Sequence, residues 1–243
     1  MKHSWLIRPS ELGGLMTQGR KKEELWGETA LKIIQKNVLF HKWGVEEPIV
    51  MTKQMDKGIY NEAQNMELAA RVYGWLDVDT KQPKKRLVNE FFIGEPDHNG
   101  INLVDIKSSF SADTFPWFAN PENKAYEYQL QAYMDLTGHQ EAELVYVLSN
   151  HPEHLIRSEI KRLTYYFVDR PHEFNFATSI EDLWTYAEEK ATKIVMKEAI
   201  VDHIPEEKRV RRFTIKRDNA LIELMHERVI EARKKFDELM NEL

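Results

Sequence analysis

The sequence predicts an α/β (α+β) fold: a small central mixed sheet flanked by helices, followed by a long C-terminal helix. Three observations carry that expectation. Segments with helical apolar spacing lie on both sides of a central stretch, 87–148, in which short runs of β-forming residues alternate with turn residues. Hydrophobic residues make up 42% of the chain, enough to bury a core and too many for disorder. At the C-terminus the apolar positions Ile222, Met225, Val229, Ala232, Phe236, Leu239 and Leu243 step by three and four in strict alternation, a heptad seam. With 243 residues and no repeat, low-complexity tract or Ser/Gly linker, a single domain is expected, its core over about 8–150 and a helical part over about 152–243.

The elements follow in order. Residues 10–20 suit a short helix leading into a basic turn, Gly19-Arg20-Lys21-Lys22. Residues 23–40 have helical spacing at Leu25, Trp26, Leu31, Ile33 and Ile34. Residues 48–51 suit a short strand, and 58–74 a helix with Ile59, Ala63, Met66, Ala69, Ala70 and Tyr73 inward. Residues 87–93 are rich in β-formers. Asn99-Gly100 is a hairpin signal, and 101–107 reads as the returning strand. A helix over 121–136 stops at Gly138, 142–148 is a buried strand by composition, and 152–166 and 180–200 are further helices. The C-terminal seam suits either a helix packed on its own domain or a surface for self-association or a partner protein.

Composition excludes several chemistries. Without cysteine there are no disulfides, thiolate metal sites or cysteine nucleophiles. The net charge of −6 argues against a coat-like nucleic-acid binder but allows an enzyme with a local basic groove. No phosphate-cradling GxxxxGK[ST] loop occurs, so no built-in ATP motor is expected. No apolar run is long enough for a membrane helix and the N-terminus does not read as a secretory signal, so no membrane partner and a cytoplasmic location are expected.

The chemistry-bearing segment is Gly94-Glu95-Pro96-Asp97, then seven residues, then Asp105-Ile106-Lys107. On a strand Asp105 and Lys107 share a face while Ile106 points to the core. Two carboxylates with a backbone carbonyl make a hard oxygen site for Mg²⁺ or Mn²⁺, and a lysine beside it can orient a water and offset developing phosphorane charge. This is phosphodiester hydrolysis chemistry. Gln129 and Tyr133 are one helical turn apart and can add neutral donors, and Glu62 on the preceding helix can reach the same centre. A two-residue Asn99-Gly100 loop would turn Asp97 away from Asp105; a three-residue loop, His98 to Gly100 with Gly100 left-handed, would restore the facing. A bulge or strand break near Asp97 is therefore expected.

These residues resemble the PD-(D/E)xK nuclease superfamily, and within it the lambda-exonuclease-like, viral-recombinase branch related to the RecB-type nucleases. Pro96-Asp97 matches the first acidic motif and Asp105-Ile106-Lys107 the acid-x-lysine motif, with Asp where Glu is common. Gln129 to Tyr133 matches the glutamine-x-x-x-tyrosine motif, and Gly58 to Glu62 the glycine-to-glutamate helix motif. Ser10-Glu11-Leu12 with Arg20-Lys21-Lys22 resembles the DNA-contacting segment. The resemblance covers residues 8–150 in the family's order. It implies a restriction-endonuclease-like core and a Mg²⁺-dependent (or Mn²⁺-dependent) phage-type exonuclease. Such an enzyme degrades one strand of linear duplex DNA from its 5′ end for recombination, by a two-metal mechanism. It further implies double-stranded DNA ends as substrate, a single-strand annealing protein as partner, a homo-oligomer, namely a trimer, and a phage or bacterial host cytoplasm. Carried over by position, Asp97, Asp105, Glu62 and the Ile106 carbonyl would hold metal, and Lys107 would position the attacking water. Gln129, Gln131 and Tyr133 would line the site, and Arg20, Lys21 and Lys22 would touch DNA.

Other readings of the same residues stand beside this one. The chemistry would equally suit a structure-selective, junction-resolvase-like endonuclease, and the fold could serve as a catalytically idle module binding DNA or a partner. His151-Pro152-Glu153-His154 reads as a loop rather than a metal pair, because Pro152 intervenes and no third ligand is evident. Lys84-Lys85-Arg86, Arg209 to Arg212 and Lys216-Arg217 are basic clusters that would either track a DNA backbone or face solvent. Phe115 and Trp117 suit packing before base stacking.

Overall fold

The computed structural model describes residues 5–20, 24–118, 123–174 and 177–243. Its centre is a four-stranded mixed sheet in the order β3 (His98–Asn99), β4 (Leu103–Ser109), β5 (Glu141–Leu148), β6 (Val210–Lys216). β3 runs antiparallel to β4, β4 parallel to β5, and β5 antiparallel to β6. The parallel pair requires a crossover, which α4 (Lys124–Thr137) supplies. Asn123 caps its start by accepting from the Ala125 N–H, and Gly138, left-handed at φ 81°, ends it.

Period-two alternation along β4 sorts its side chains between two helices. Val104 and Ile106 face α3 (Lys53–Tyr73) and pack with Met66, Leu68, Ala69, Val145 and Val147. Leu103 faces α4 and packs with Leu130, Tyr133, Met134 and Leu144. Asp105 and Lys107 share the α4 side with Leu103. A third cluster joins the N-terminal segment (Trp5, Ile7, and Leu12 and Leu15 of α1, Leu12–Leu15) to α2 (Glu28–Trp43) and to α7 (Asn219–Glu242). The helices α5 (Glu153–Val168) and α6 (Ile180–Ala199) pack on each other through Phe167, Ala187 and Ala191.

The structure corrects several sequence expectations. Residues 48–51 form no strand; Ile49 and Val50 are exposed. Residues 87–93 are not one strand but a tight hairpin, β1 (Leu87–Val88) and β2 (Ile93–Gly94). The Asn89 side chain closes it, accepting from the N–H groups of Phe91 and Phe92. The 152–243 part is not wholly helical, since it contributes the edge strand β6. That strand hid inside a basic cluster, yet Arg211, Phe213 and Ile215 alternate with the more exposed Arg212, Thr214 and Lys216. The heptad seam is occupied by the chain itself: Ile222, Met225, Val229, Ala232 and Phe236 are buried against the N-terminal cluster, so it is not a free self-association surface. No helix among the described residues is long and apolar enough to cross a membrane.

Candidate active site

Register brings the two motif acids together. The β3–β4 hairpin turns at Gly100-Ile101-Asn102, not at Asn99-Gly100, and pairs Asn99 with Leu103 and His98 with Val104. Counted one step further, Asp97 falls opposite Asp105. Gly100 is not left-handed as expected. Asp77 comes close to it: a Cβ there would meet Asp77 Oδ2 at 2.0 Å and displace the carboxylate that accepts from the Ile101 N–H at 2.7 Å. The ladder breaks at Asp97, whose own Oδ2 accepts from the Ile106 N–H at 2.7 Å in place of a backbone carbonyl.

Each carboxylate is matched by an ammonium. Asp105, 2% exposed, sits 2.7 Å from Lys107 Nζ through Oδ2 and accepts from Gln129 Nε2 at 3.0 Å through Oδ1. Lys107 also donates to Gln129 Oε1 at 3.2 Å and lies 4.5 Å above the Tyr126 ring. One glutamine thus holds the acid and the lysine in a fixed mutual geometry. On the far side Lys84 Nζ lies 2.6 Å from Asp97 Oδ1 and 2.6 Å from Glu62 Oε1. Burial lifts the Asp105 carboxyl to about 6, with Lys107 opposing the rise and Asp97 adding to it. Burial pulls the Lys107 ammonium down, but the charge and hydrogen bond of Asp105, with the Asp97 charge, together more than compensate and its pKa ends up raised. Lys84 is raised by the same balance: burial lowers it, and Asp97 and Glu62 more than compensate.

The motif residues separate into those that meet and those that do not. Glu62 and Asp97 meet at Lys84; Asp105, Lys107 and Gln129 form a second group; and the Asp97 bond to the Ile106 N–H on β4 joins the two. Tyr133 borders them, donating to the Glu95 carbonyl at 3.3 Å; burial pushes its phenol up to about 12, so it stays a donor. Gln131 does not belong to the site. Its amide pins the β6–α7 junction, donating to the Lys216 carbonyl at 2.8 Å and accepting from the Asp218 N–H at 2.9 Å. Two residues apart on a helix, Gln129 and Gln131 point to nearly opposite sides. Ile106 is buried in the α3 layer and meets the site through its N–H to Asp97. Arg20 is exposed on the loop after α1, whereas Lys21 and Lys22 lie outside the described residues.

Several further expectations meet the structure here. His151 bonds the Phe110 carbonyl and His154 the Asp56 carboxylate, so the two histidines form no metal pair. Trp117 packs edge-on against buried Phe115. Sequence reasoning missed Lys84 as a site group, Tyr126 beneath Lys107, and a cleft of about 510 Å³ lined by Arg8, Ser10, Arg86, Glu95 and Tyr133. The signal for Lys84 was present only in the β1–β2 register.

Among the described residues no three acids or imidazoles are already gathered as a metal cluster. The donor set nevertheless fits a hard divalent cation. Glu62 and Asp97 converge on one positive group, and buried Asp105 Oδ2 has no aligned hydrogen bond, only the neighbouring lysine charge.

No protein-family model matches the chain, and no curated protein matches it. Solved structures do. A phage-related exonuclease from Haemophilus somnus 129PT superposes with a TM-score of 0.73 at 25% identity, covering 98% of this chain and 96% of that one. The alkaline exonuclease LHK-Exo from Laribacter hongkongensis superposes at 0.58 with 14% identity, over 97% of this chain and 90% of its own. The same enzyme in complex with dAMP superposes at 0.56 with 13% identity. The acids, lysine and glutamine are thus brought together on a nuclease fold that this chain shares with these exonucleases.

Proposed function

We propose that the chain is a metal-dependent deoxyribonuclease of phage type that degrades one strand of linear duplex DNA from its 5′ end. The observation that carries the reading is the opposition of Asp97 and Asp105 across the β3–β4 ladder, with Lys107 locked beside Asp105 by Gln129.

Asp97, Asp105 and Glu62 would hold Mg²⁺, with the Ile106 carbonyl as the resemblance implies. Bound there in a two-metal arrangement, the ions would supply Lewis acidity at the phosphate and activate the attacking water. The chain's own groups do the rest. Lys107 keeps its proton and places a positive charge where the phosphorane oxygens become more negative. Gln129 fixes the lysine and Asp105 so that neither must reorganise during the reaction. Tyr133 holds the Glu95 backbone, which keeps the segment bearing Asp97 in place. Arg8, Ser10 and Arg86 line the adjoining cleft and offer donors to a phosphate, with Arg20 further out on the duplex. On the same reading the chain acts at double-stranded ends as a closed homo-oligomer, a trimer, beside an annealing protein. Its interface lies elsewhere than the buried heptad seam.

The test runs linear 5′-phosphorylated duplex beside covalently closed circular duplex, with Mg²⁺ or with EDTA, for wild type and Lys107→Ala. Mg²⁺-dependent loss of linear DNA only, absent in the variant, supports the exonuclease. Cutting of both substrates transfers the site to an endonuclease. No cleavage of either leaves a binding module.

A further inference from the structure

The chemistry above uses every charged group of the site except Lys84. Its position is set by the fold. The β1–β2 ladder pairs Leu87 with Gly94 and Val88 with Ile93. Continued outward, the same register places Arg86 opposite Glu95 and Lys84 opposite Asp97. Both cross-strand ion pairs are formed, at 2.8 Å and 2.6 Å. Lys84 then makes a second contact that no surface pair would need, reaching Glu62 of α3 at 2.6 Å. Two carboxylates from separate elements thus converge on one ammonium. They are two of the three acids assigned above to metal.

The ammonium stands 2.6 Å from both Asp97 Oδ1 and Glu62 Oε1, where its charge repels a divalent cation drawing on the same two oxygens. The ammonium brings one charge and three donors; Mg²⁺ demands close oxygen ligands in near-octahedral order. Lys107 is held on β4 by Asp105 and Gln129, and its contacts leave it no freedom to withdraw. Lys84 differs. It sits in the exposed 81–86 segment between α3 and β1, outside any helix or strand, with its side chain 31% exposed. Its flexible stem can swing into water at small cost.

We propose that Lys84 is the resident counter-ion of the Glu62–Asp97 pair, gathering both carboxylates in the metal-free protein, and that a divalent cation enters this side of the site by displacing its ammonium. The inference rests on the metal reading of the site. It makes Lys84 a competitor of the metal rather than a helper, which is the opposite of what a basic residue beside a nuclease centre first suggests.

The experiment measures Mn²⁺ binding to the full chain without DNA, by titration calorimetry and by the free-Mn²⁺ paramagnetic resonance signal. It compares wild type, Lys84→Gln, Lys84→Met and Lys84→Arg. Removing the competing charge is expected to tighten Mn²⁺ about tenfold in the Gln and Met variants, as mass action on a displaced cation requires. The Arg variant is expected to stay near wild type. Thermal melting gives a second readout: the metal-free Gln variant melts lower, and Mn²⁺ raises its melting temperature by more than it raises that of wild type. Asp97→Asn in the Lys84→Gln background is expected to cancel the gain in affinity. Equal or weaker Mn²⁺ binding in both uncharged variants overturns this inference while the metal site stands. Absence of Mn²⁺ binding in wild type and in every variant removes the metal reading and the inference with it.

Discussion

Replacing Lys57 with methionine would show how the strand carrying the site is anchored. Lys57 is 1% exposed on α3, and its ammonium donates to the carbonyls of Ser109 at 2.9 Å and Phe110 at 2.8 Å, just past Lys107 at the end of β4. Burial pulls its pKa from 10.5 down to about 8. At ~1.36 kcal/mol per pH unit, the gap between those values corresponds to ~3 kcal/mol. The sign follows from proton counting. Between pH 8 and 10.5 the unfolded chain still binds a proton that the folded chain has released, so stability rises with pH across that window. Below pH 8 the cost of the buried charge is present in full. Methionine removes that cost but takes the Lys57 donor from the Ser109 carbonyl, at ~1–3 kcal/mol, while the Phe110 carbonyl keeps His151, so the two effects largely offset at pH 7. His151 shares the Phe110 carbonyl, and its pKa is lowered by burial and by the Lys57 charge, so it has finished titrating before the window opens. Urea unfolding of both proteins from pH 7 to 10.5 is the assay. Wild type is expected within ~2 kcal/mol of the variant at pH 7 and to gain ~3 kcal/mol on it by pH 10.5. A difference that stays flat across the window would refute the buried-charge account.

Other outcomes follow from the same contacts. Lys107→Ala is expected to lower Mg²⁺-dependent cleavage by ~10²-fold or more with the fold intact, checked by single-turnover rates beside circular dichroism. Gln129→Leu and Gln131→Leu separate catalysis from architecture. The first is expected to slow cleavage. The second unpairs the Lys216 carbonyl and the Asp218 N–H, costing ~1–3 kcal/mol in urea unfolding with cleavage per folded molecule unchanged. Phe236→Ala is expected to cost ~3–5 kcal/mol, because Phe236 is buried and stacks on Trp5 at 5.2 Å. That loss is expected not to vary with protein concentration; a concentration-dependent loss would mean the seam joins two chains.

Much of the site was legible because its signals are local. Acid and lysine two residues apart on an apolar strand must share a face, and a glutamine one turn before a tyrosine must share another. The same rule, applied to the step of two from Gln129 to Gln131, would have excluded Gln131. The β6 strand was legible in principle as well, but its charged residues drew attention from the alternation beneath. Register was less accessible. Asn99-Gly100 is a strong turn signal, yet the chain turns at 100–102, where the Asp77 carboxylate from the loop after α3 takes the Ile101 N–H. A contact across 24 residues overrode the local preference.

Most kinds of element, the order of the motifs and the pairing of Asp105 with Lys107 are readable from the chain alone, because these depend on backbone periods of two and 3.6 residues; the absent strand at 48–51 and the edge strand β6 are the exceptions. Only the tertiary structure decided that Asp97 stands opposite Asp105, that the C-terminal seam closes on Trp5 and Phe92 rather than on a second chain, and that Lys84 reaches both Asp97 and Glu62. Each of these joins residues from separate elements. Periodicity says which face a side chain occupies; what packs against that face is settled by the competition of all such faces for one core.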